Sequence, residues 1–256
     1  MASLVDYSVE GAVALVRLNR PPVNALSGEL SADLKAAFQE AADPQIRAVV
    51  VTGHPHFAAG ADIKAFRAVY ESGGEQGLAR TLAETVAVLA DLEKPTIAAV
   101  HGYALGGGLE LSLGADFRFL AEDALVGQPE IKLGLIPGAG GTQRLARVVG
   151  FQAAKDIVFT GRQVGAEEAL RLGLADRIFP PDRLLEESQK AAAEMATWPT
   201  RAIAAAKRAL AGGWGRPLQE GLEIEGSEFD ASFWTEDARE GVAAFLEKRA
   251  ANFRGL

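Results

Sequence analysis

Two glutamates, each set among small and apolar residues, are the first groups in this chain that could do acid/base work. Glu110 sits between Leu109 and Leu111, and an ionised carboxylate in such surroundings is costly unless it is paired or used. Glu130 follows Pro129 in the stiff, turn-rich stretch 127–141 (GQPEIKLGLIPGAGG). Two carboxyls held close together let one stay neutral while the other ionises, the division that an acid and a base need. Upstream of Glu110, the run Gly106, Gly107 and Gly108 lets the backbone approach a ligand. The N–H of Gly107, at the start of a helix, suits an oxygen carrying negative charge, and Glu110 lies one helical turn on, along the same face. A third segment, 57–63 (FAAGADI), reaches Gly60, which tolerates positive φ, and then the small Ala61, whose N–H can face a ligand with no side chain in the way. Asp62 is placed to cap the helix that follows. Two backbone donors and two carboxyls at one site suit a reaction through an enolate-like oxyanion.

Each feature also has a plainer reading. Glycine runs commonly just make turns, and a helical glutamate is more often solvated or salt-bridged than catalytic. Other chemistries find less support. The phosphate-binding GxxxxGK pattern is absent, neither glycine run has the GxGxxG context of a dinucleotide fold, and no GxSxG marks a serine hydrolase. With no cysteine in the chain, disulfides, thiolate nucleophiles and Cys-based metal sites are excluded. The three histidines, His54, His56 and His101, show no HExxH-like spacing and read as loop and packing residues, so no metal is expected. A net charge of -8 weakens any nucleic-acid reading. No stretch reaches the length of a membrane span, and the N-terminal residues lack a basic segment before an apolar run. A cytoplasmic protein with no membrane partner is the expectation.

The elements that must position these groups follow from periodicity. Alternation over 3–9 and 12–18 predicts a hairpin. After a loop at 19–27, the stripe Leu30, Leu34, Ala37, Phe38 and Ala41 predicts a helix over 28–42. Residues 46–52 and 96–101 read as buried strands, and 115–121 and 124–127 as strand-like. Helices are expected at 62–71 and 77–92, on either side of a Ser-Gly-Gly break. Residues 102–108 read as a glycine-rich turn into a short helix. From Gly140 onward the pattern is helical (141–149, 151–159, 166–172, 182–197, 199–212, 216–232 and 235–250), with only 175–179 extended. The strand-then-helix order implies an α/β core. At 256 residues and 48% hydrophobic, the chain can bury one large core. We place a core with the reactive groups at 1–195 and a helical oligomerisation region at 196–256, which could equally be read as an appendage.

The segments FAAGADIK at 57–64, AAVHGYALGGGLELSLGAD at 98–116, GQPEIKLGLIPGAGGTQRLARVVG at 127–150 and EDAREGVAAFLEKRAANFRG at 236–255 together resemble the enoyl-CoA hydratase/isomerase, or crotonase, superfamily, over nearly the whole chain. The resemblance implies a spiral of ββα units followed by a helical trimerisation region, assembled as a homotrimer or a dimer of trimers. By motif position it implies that Ala61 and Gly107 hold the thioester oxygen, and that Glu110 and Glu130 match the two glutamates of the hydratases. Ala61, Asp62, Ile63 and Lys64 would run along the CoA, while Phe245 and Lys248 match positions that reach a neighbouring subunit's CoA. His101 stands where many hydratases carry asparagine. The stretch 65–92 follows no pattern and is expected to shape the acyl pocket, which leaves chain length open.

The implied reaction is reversible addition of water across the 2,3-double bond of a 2-enoyl-CoA, as in fatty-acid β-oxidation, with no cofactor beyond the CoA of the substrate itself. Alternatives of the same fold are a Δ3-Δ2 enoyl-CoA isomerase and a specialised hydroxyacyl-CoA dehydratase. A non-catalytic binding protein of this fold is the alternative from a different class. Two carboxylates at the hydratase positions favour water chemistry, since isomerisation needs only one base.

Overall fold

The computed structural model describes residues 3–72 and 78–256. The hairpin is β1 (Val5–Glu10) and β2 (Val13–Leu18), turning at Gly11, where φ is +58. Helix α1 (Gly28–Glu40) begins at Ser27, whose side chain accepts from the Leu30 N–H, and buries the stripe Leu30, Leu34, Ala37 and Phe38. Strand β3 (Ala48–Gly53) is buried at every residue, as a strand flanked by two parallel neighbours must be. Two helices follow, α2 (Ile63–Ser72) and α3 (Leu78–Ala90). Gly73 and Gly74 of the expected break, and residue 77 of the expected second helix, lie outside the described residues.

Beyond α3 the chain places one strand in each of two sheets and then a helix, and does so twice. Strand β4 (Thr96–Val100) is followed by β5 (Tyr103–Leu105) and α4 (Gly107–Ser112). Strand β6 (Phe117–Ala121) is followed by β7 (Leu125–Gly127) and a 3-10 turn over Pro129–Leu133. Then come α5 (Gly141–Thr160), β8 (Gln163–Gly165), α6 (Ala166–Arg171), β9 (Arg177–Phe179) and α7 (Leu184–Met195). The larger sheet runs β1-β2-β3-β4-β6-β9, parallel except for the hairpin, and the smaller runs β5-β7-β8. This repeating strand–strand–helix path is the α/β spiral that the resemblance implies.

Two expectations are corrected. Residues 103–105, read as part of a turn, form β5, and 163–165, read as helical surroundings, form β8. Both strands have three residues, too few for a period of two to emerge. The break at Gly150 does occur: its φ of 78 and ψ of 160 interrupt α5.

The chain ends in α8 (Thr200–Gly213), α9 (Leu218–Phe233) and α10 (Glu236–Glu247), the last stopping at Lys248, which is left-handed with φ +55. Lys207 ties α8 to the core, donating to the carbonyls of Leu92 and Lys94 and to Asp116. Arg47 donates to Thr200, the Phe253 carbonyl and the Trp198 carbonyl. Among the described residues no helix is long and apolar enough to cross a membrane.

Candidate active site

The site is built around α4, whose six residues are all buried. Gly106 precedes it with φ +53 and ψ -124, a conformation that only glycine adopts at low cost. A methyl group added at Gly108 would lie 2.0 Å from the Ala58 carbonyl oxygen, so the helix backbone is docked directly on the 57–62 loop. Main-chain bonds fix that contact: Ala58 N donates to the Tyr103 carbonyl at 3.0 Å, and Leu105 N to the Ala58 carbonyl at 3.1 Å.

The same loop pairs on its other side with residue 26. Leu26 N donates to the Gly60 carbonyl at 2.8 Å and Asp62 N to the Leu26 carbonyl at 2.9 Å, a parallel bridge centred on Leu26 and Ala61. Because successive N–H groups of an extended segment alternate in direction, this pairing turns the Ala61 N–H away from Leu26. A methyl group built on Gly107 would be 3.9 Å from Ala61 N. Two main-chain donors from segments 46 residues apart in sequence (107 minus 61) are thereby brought together. Neither has a hydrogen-bond partner among the described residues. Leu82 Cδ2 and Leu26 Cδ1 stand 2.8 and 3.2 Å from that built methyl group, an apolar wall beside the donors.

Glu110 is 3% exposed. Its Oε1 accepts from Ala139 N at 2.6 Å and from Gly141 N at 2.7 Å, at the entry to α5. Burial raises its pKa, and those two bonds, which favour the ionised form, work against the rise. Glu130 sits in the first turn of the 3-10 helix, with Pro129 ahead of it and the left-handed Gly134 behind. Burial pushes its pKa up to about 7, with a further contribution from the charge of Glu110. Gln128 is fully buried beside it. With its amide nitrogen turned toward the carboxyl, Gln128 donates to Glu130 Oε1 at 2.8 Å and Oε2 at 3.1 Å. A methyl group on Gly106 would lie 3.0 Å from Glu130 Oε1, so this carboxyl abuts the residue just before the Gly107 donor.

The four residues singled out for chemistry thus converge. The others are distributed differently. Asp62 caps α2 through the Lys64 N–H and pairs with Arg20, while Ile63 and Lys64 are exposed on the first turn of that helix. Phe245, 82% exposed, and Lys248 lie at the end of α10. Among the described residues no hydrogen bond, ion pair or ring contact joins those two to the loops around Ala61 and Gly107. His101 is buried with its ring edge-on to His54, and burial holds its pKa down. His56 stacks on Tyr103. Among the described residues no cluster of three or more histidine or acidic side chains could hold a metal.

Sequence reading missed the partners of the two acids. Gln128 adjoins Pro129-Glu130 and could have been flagged as a polar residue in an apolar stretch. The donors Ala139 and Gly141 could not, because the bond is long-range and uses only backbone.

The model of a family described as enoyl-CoA hydratase/isomerase matches residues 8–255 of the chain. A Rhizobium meliloti (strain 1021) protein named "Probable enoyl-CoA hydratase" is 46% identical over 248 residues, covering 96% of this chain and 95% of its own. A Syntrophomonas wolfei protein named "Crotonyl-CoA hydratase" is 38% identical, covering 95% of each chain. The crystal structure of an enoyl-CoA hydratase from Bacillus anthracis superposes with a TM-score of 0.90 at 35% identity, covering 99% of this chain and 100% of that one.

Proposed function

The chain belongs to the enoyl-CoA hydratase/isomerase family, and from that premise we propose that it is a hydro-lyase, an enoyl-CoA hydratase that adds water across the 2,3-double bond of a 2-enoyl-CoA. The observation that carries the reading is the convergence of two unpartnered N–H groups, at Ala61 and Gly107, with two buried carboxyls, at Glu110 and Glu130.

In the proposed mechanism the thioester oxygen lies between the N–H groups of Ala61 and Gly107. As water attacks C3, negative charge builds on that oxygen and the two donors stabilise it. Removing one such donor costs about a hundredfold or more in rate. Glu110, held ionised by two N–H bonds on Oε1, takes a proton from the water. Glu130, with its raised pKa, is suited to stay protonated and deliver a proton to C2. In the dehydration direction the roles reverse. These groups suffice for the reaction, and CoA enters as part of the substrate.

Three finer points belong to the same proposal. Asp62, Ile63 and Lys64 would lie along the CoA, and Phe245 and Lys248 would reach the CoA of a neighbouring subunit. A trimer, or a dimer of trimers, would cover the apolar groove between α8 and α9. That groove, about 890 Å³, is lined by Trp214, Leu218, Leu222 and Phe229, and apolar surface of this kind ordinarily has a partner. Fatty-acid oxidation is the proposed setting and the cytoplasm the proposed compartment; both rest on the sequence reading.

The test is a steady-state scan of 2-enoyl-CoAs from C4 to C16, with a 3-enoyl-CoA for comparison. The expected result is turnover of crotonyl-CoA, seen as loss of absorbance from the conjugated thioester, with little isomerisation. A flat trace at every chain length would defeat the hydratase reading, and dominant 3-enoyl turnover would replace it with an isomerase.

A further inference from the structure

We propose that Arg20 is a positioning residue for the oxyanion hole, setting the direction of the Ala61 N–H through its ion pair with Asp62. This rests on the hydratase reading above. Arg20 lies in the loop after β2, and its guanidinium spans two segments. Nη2 donates to Asp62 Oδ2 at 2.6 Å and Nη1 to the Ala25 carbonyl at 2.8 Å. Those acceptors flank the bridge that aims the donor: Ala25 precedes Leu26, and Asp62 follows Ala61. The bridge consists of only two main-chain bonds. One planar cation with a fixed fork therefore clasps both of its sides, a geometry that a lysine point charge does not reproduce.

The neighbouring bonds make the clasp rigid. Arg20 N donates to Asn24 Oδ1, Asn24 N donates back to the Arg20 carbonyl, and Asn24 Nδ2 donates to the His56 carbonyl. Asn24 is buried and left-handed, with φ 51. The second oxygen of Asp62 accepts from Lys64 N, so the clasp extends into α2. The side chains of Arg20 and Asp62 are 32% and 19% exposed, and a partly solvated pair contributes little to global stability. Its leverage is on direction. Misplacement of a catalytic group by about 1 Å can cost on the order of a hundredfold in rate.

The experiment combines kinetics with difference infrared spectroscopy of bound butyryl-CoA carrying carbon-13 at the thioester carbonyl. This saturated probe has no alkene to hydrate. In the parent protein the carbonyl stretch is expected to fall on binding. In Arg20→Ala the fall should shrink, with kcat for crotonyl-CoA down about tenfold to a hundredfold and KM within about twofold. Arg20→Lys should lie between, and Asp62→Asn should show a smaller carbonyl shift and a lower kcat in the same direction, its KM being set aside because Asp62 also lies along the proposed CoA path; these two milder variants carry the test if Arg20→Ala does not fold. A full carbonyl shift with unchanged kcat in the variants would overturn the proposal. So would a raised KM with unchanged kcat, which would make Arg20 a contact for CoA. Absence of any shift in the parent would instead remove the oxyanion reading on which the proposal stands.

Discussion

Gly106 leaves no room for a side chain beside Glu130: a methyl group on the glycine would stand 3.0 Å from the Oε1 of the acid. The backbone of Gly106 also has φ +53 and ψ -124. Gly106→Ala therefore carries two penalties, a backbone strain of about 1–3 kcal/mol and a displaced Glu130 carboxyl. Denaturant unfolding should show the first, and loss of crotonyl-CoA hydration beyond that explained by unfolding should show the second.

In the proposed mechanism the two acids set the pH dependence of turnover. Hydration needs Glu130 protonated and Glu110 ionised. The rate should fall as pH rises through about 7, where Glu130 loses its proton, and should fall on the acid side at a pH above the ordinary glutamate range, because burial raises Glu110. Dehydration uses the same singly protonated pair with the proton on Glu110 instead of Glu130, so its kcat/KM should fall on both sides of the same pH window. A pH–kcat/KM profile taken in both directions checks this; an alkaline limb missing near pH 7 in either direction would contradict the assignment of Glu130.

The same acid makes folding pH-dependent. Its folded pKa of about 7 lies above the ordinary glutamate value of 4.5, so the folded state binds the extra proton between those values. Stability is then fully present below about pH 4.5 and is lost as pH rises through about 7, by at most about 3 kcal/mol. Glu130→Gln, neutral at every pH, should raise the unfolding midpoint relative to the parent at pH 8 and abolish most activity. An equal or lower midpoint at pH 8 would count against a buried, raised-pKa carboxyl there.

Glu110 separates a chemical from a structural role. Glu110→Gln keeps an oxygen for the N–H groups of Ala139 and Gly141, so it should fold normally while hydration falls by about 10²–10⁴. Glu110→Ala leaves both donors buried without an acceptor, at about 1–3 kcal/mol each. Unfolding curves of the two variants, side by side, should differ by that amount.

Oligomerisation through the α8–α9 groove is tested at Leu218, 78% exposed in the single chain. Leu218→Glu should barely change the fold of one chain, since surface substitutions cost within about 0.5 kcal/mol. It should shift the sedimentation coefficient from an assembly to a single subunit. A parent protein that already sediments as one subunit would refute the assembly.

Much of this was legible because the relevant signals are local. The stripe from Leu30 to Phe38 marked α1, the run 46–52 marked β3, and the glycines at 106–108 marked the approach to α4. Of the small sheet only β7 was legible, within 124–127; β5 and β8 were not, because they have three residues each and owe their existence to pairing partners brought in by the spiral. Nor were the groups that orient the acids and donors. Gln128 lies in sequence beside the acid it serves, but its role depends on a packed interior. The bond from Ala139 to Glu110 spans 29 residues, and that from Arg20 to Asp62 spans 42. Both are products of folding rather than of neighbourhood.

In the proposed mechanism the grip on the thioester is written in main chain, at Ala61 and Gly107, while the apolar wall beside those donors is written in side chains, at Leu26 and Leu82. On that reading, substitutions in the wall would reshape the space beside the carbonyl while leaving the main-chain donors in place. A lineage built on this layout would vary that wall one leucine at a time and still keep a grip that no side-chain substitution there removes.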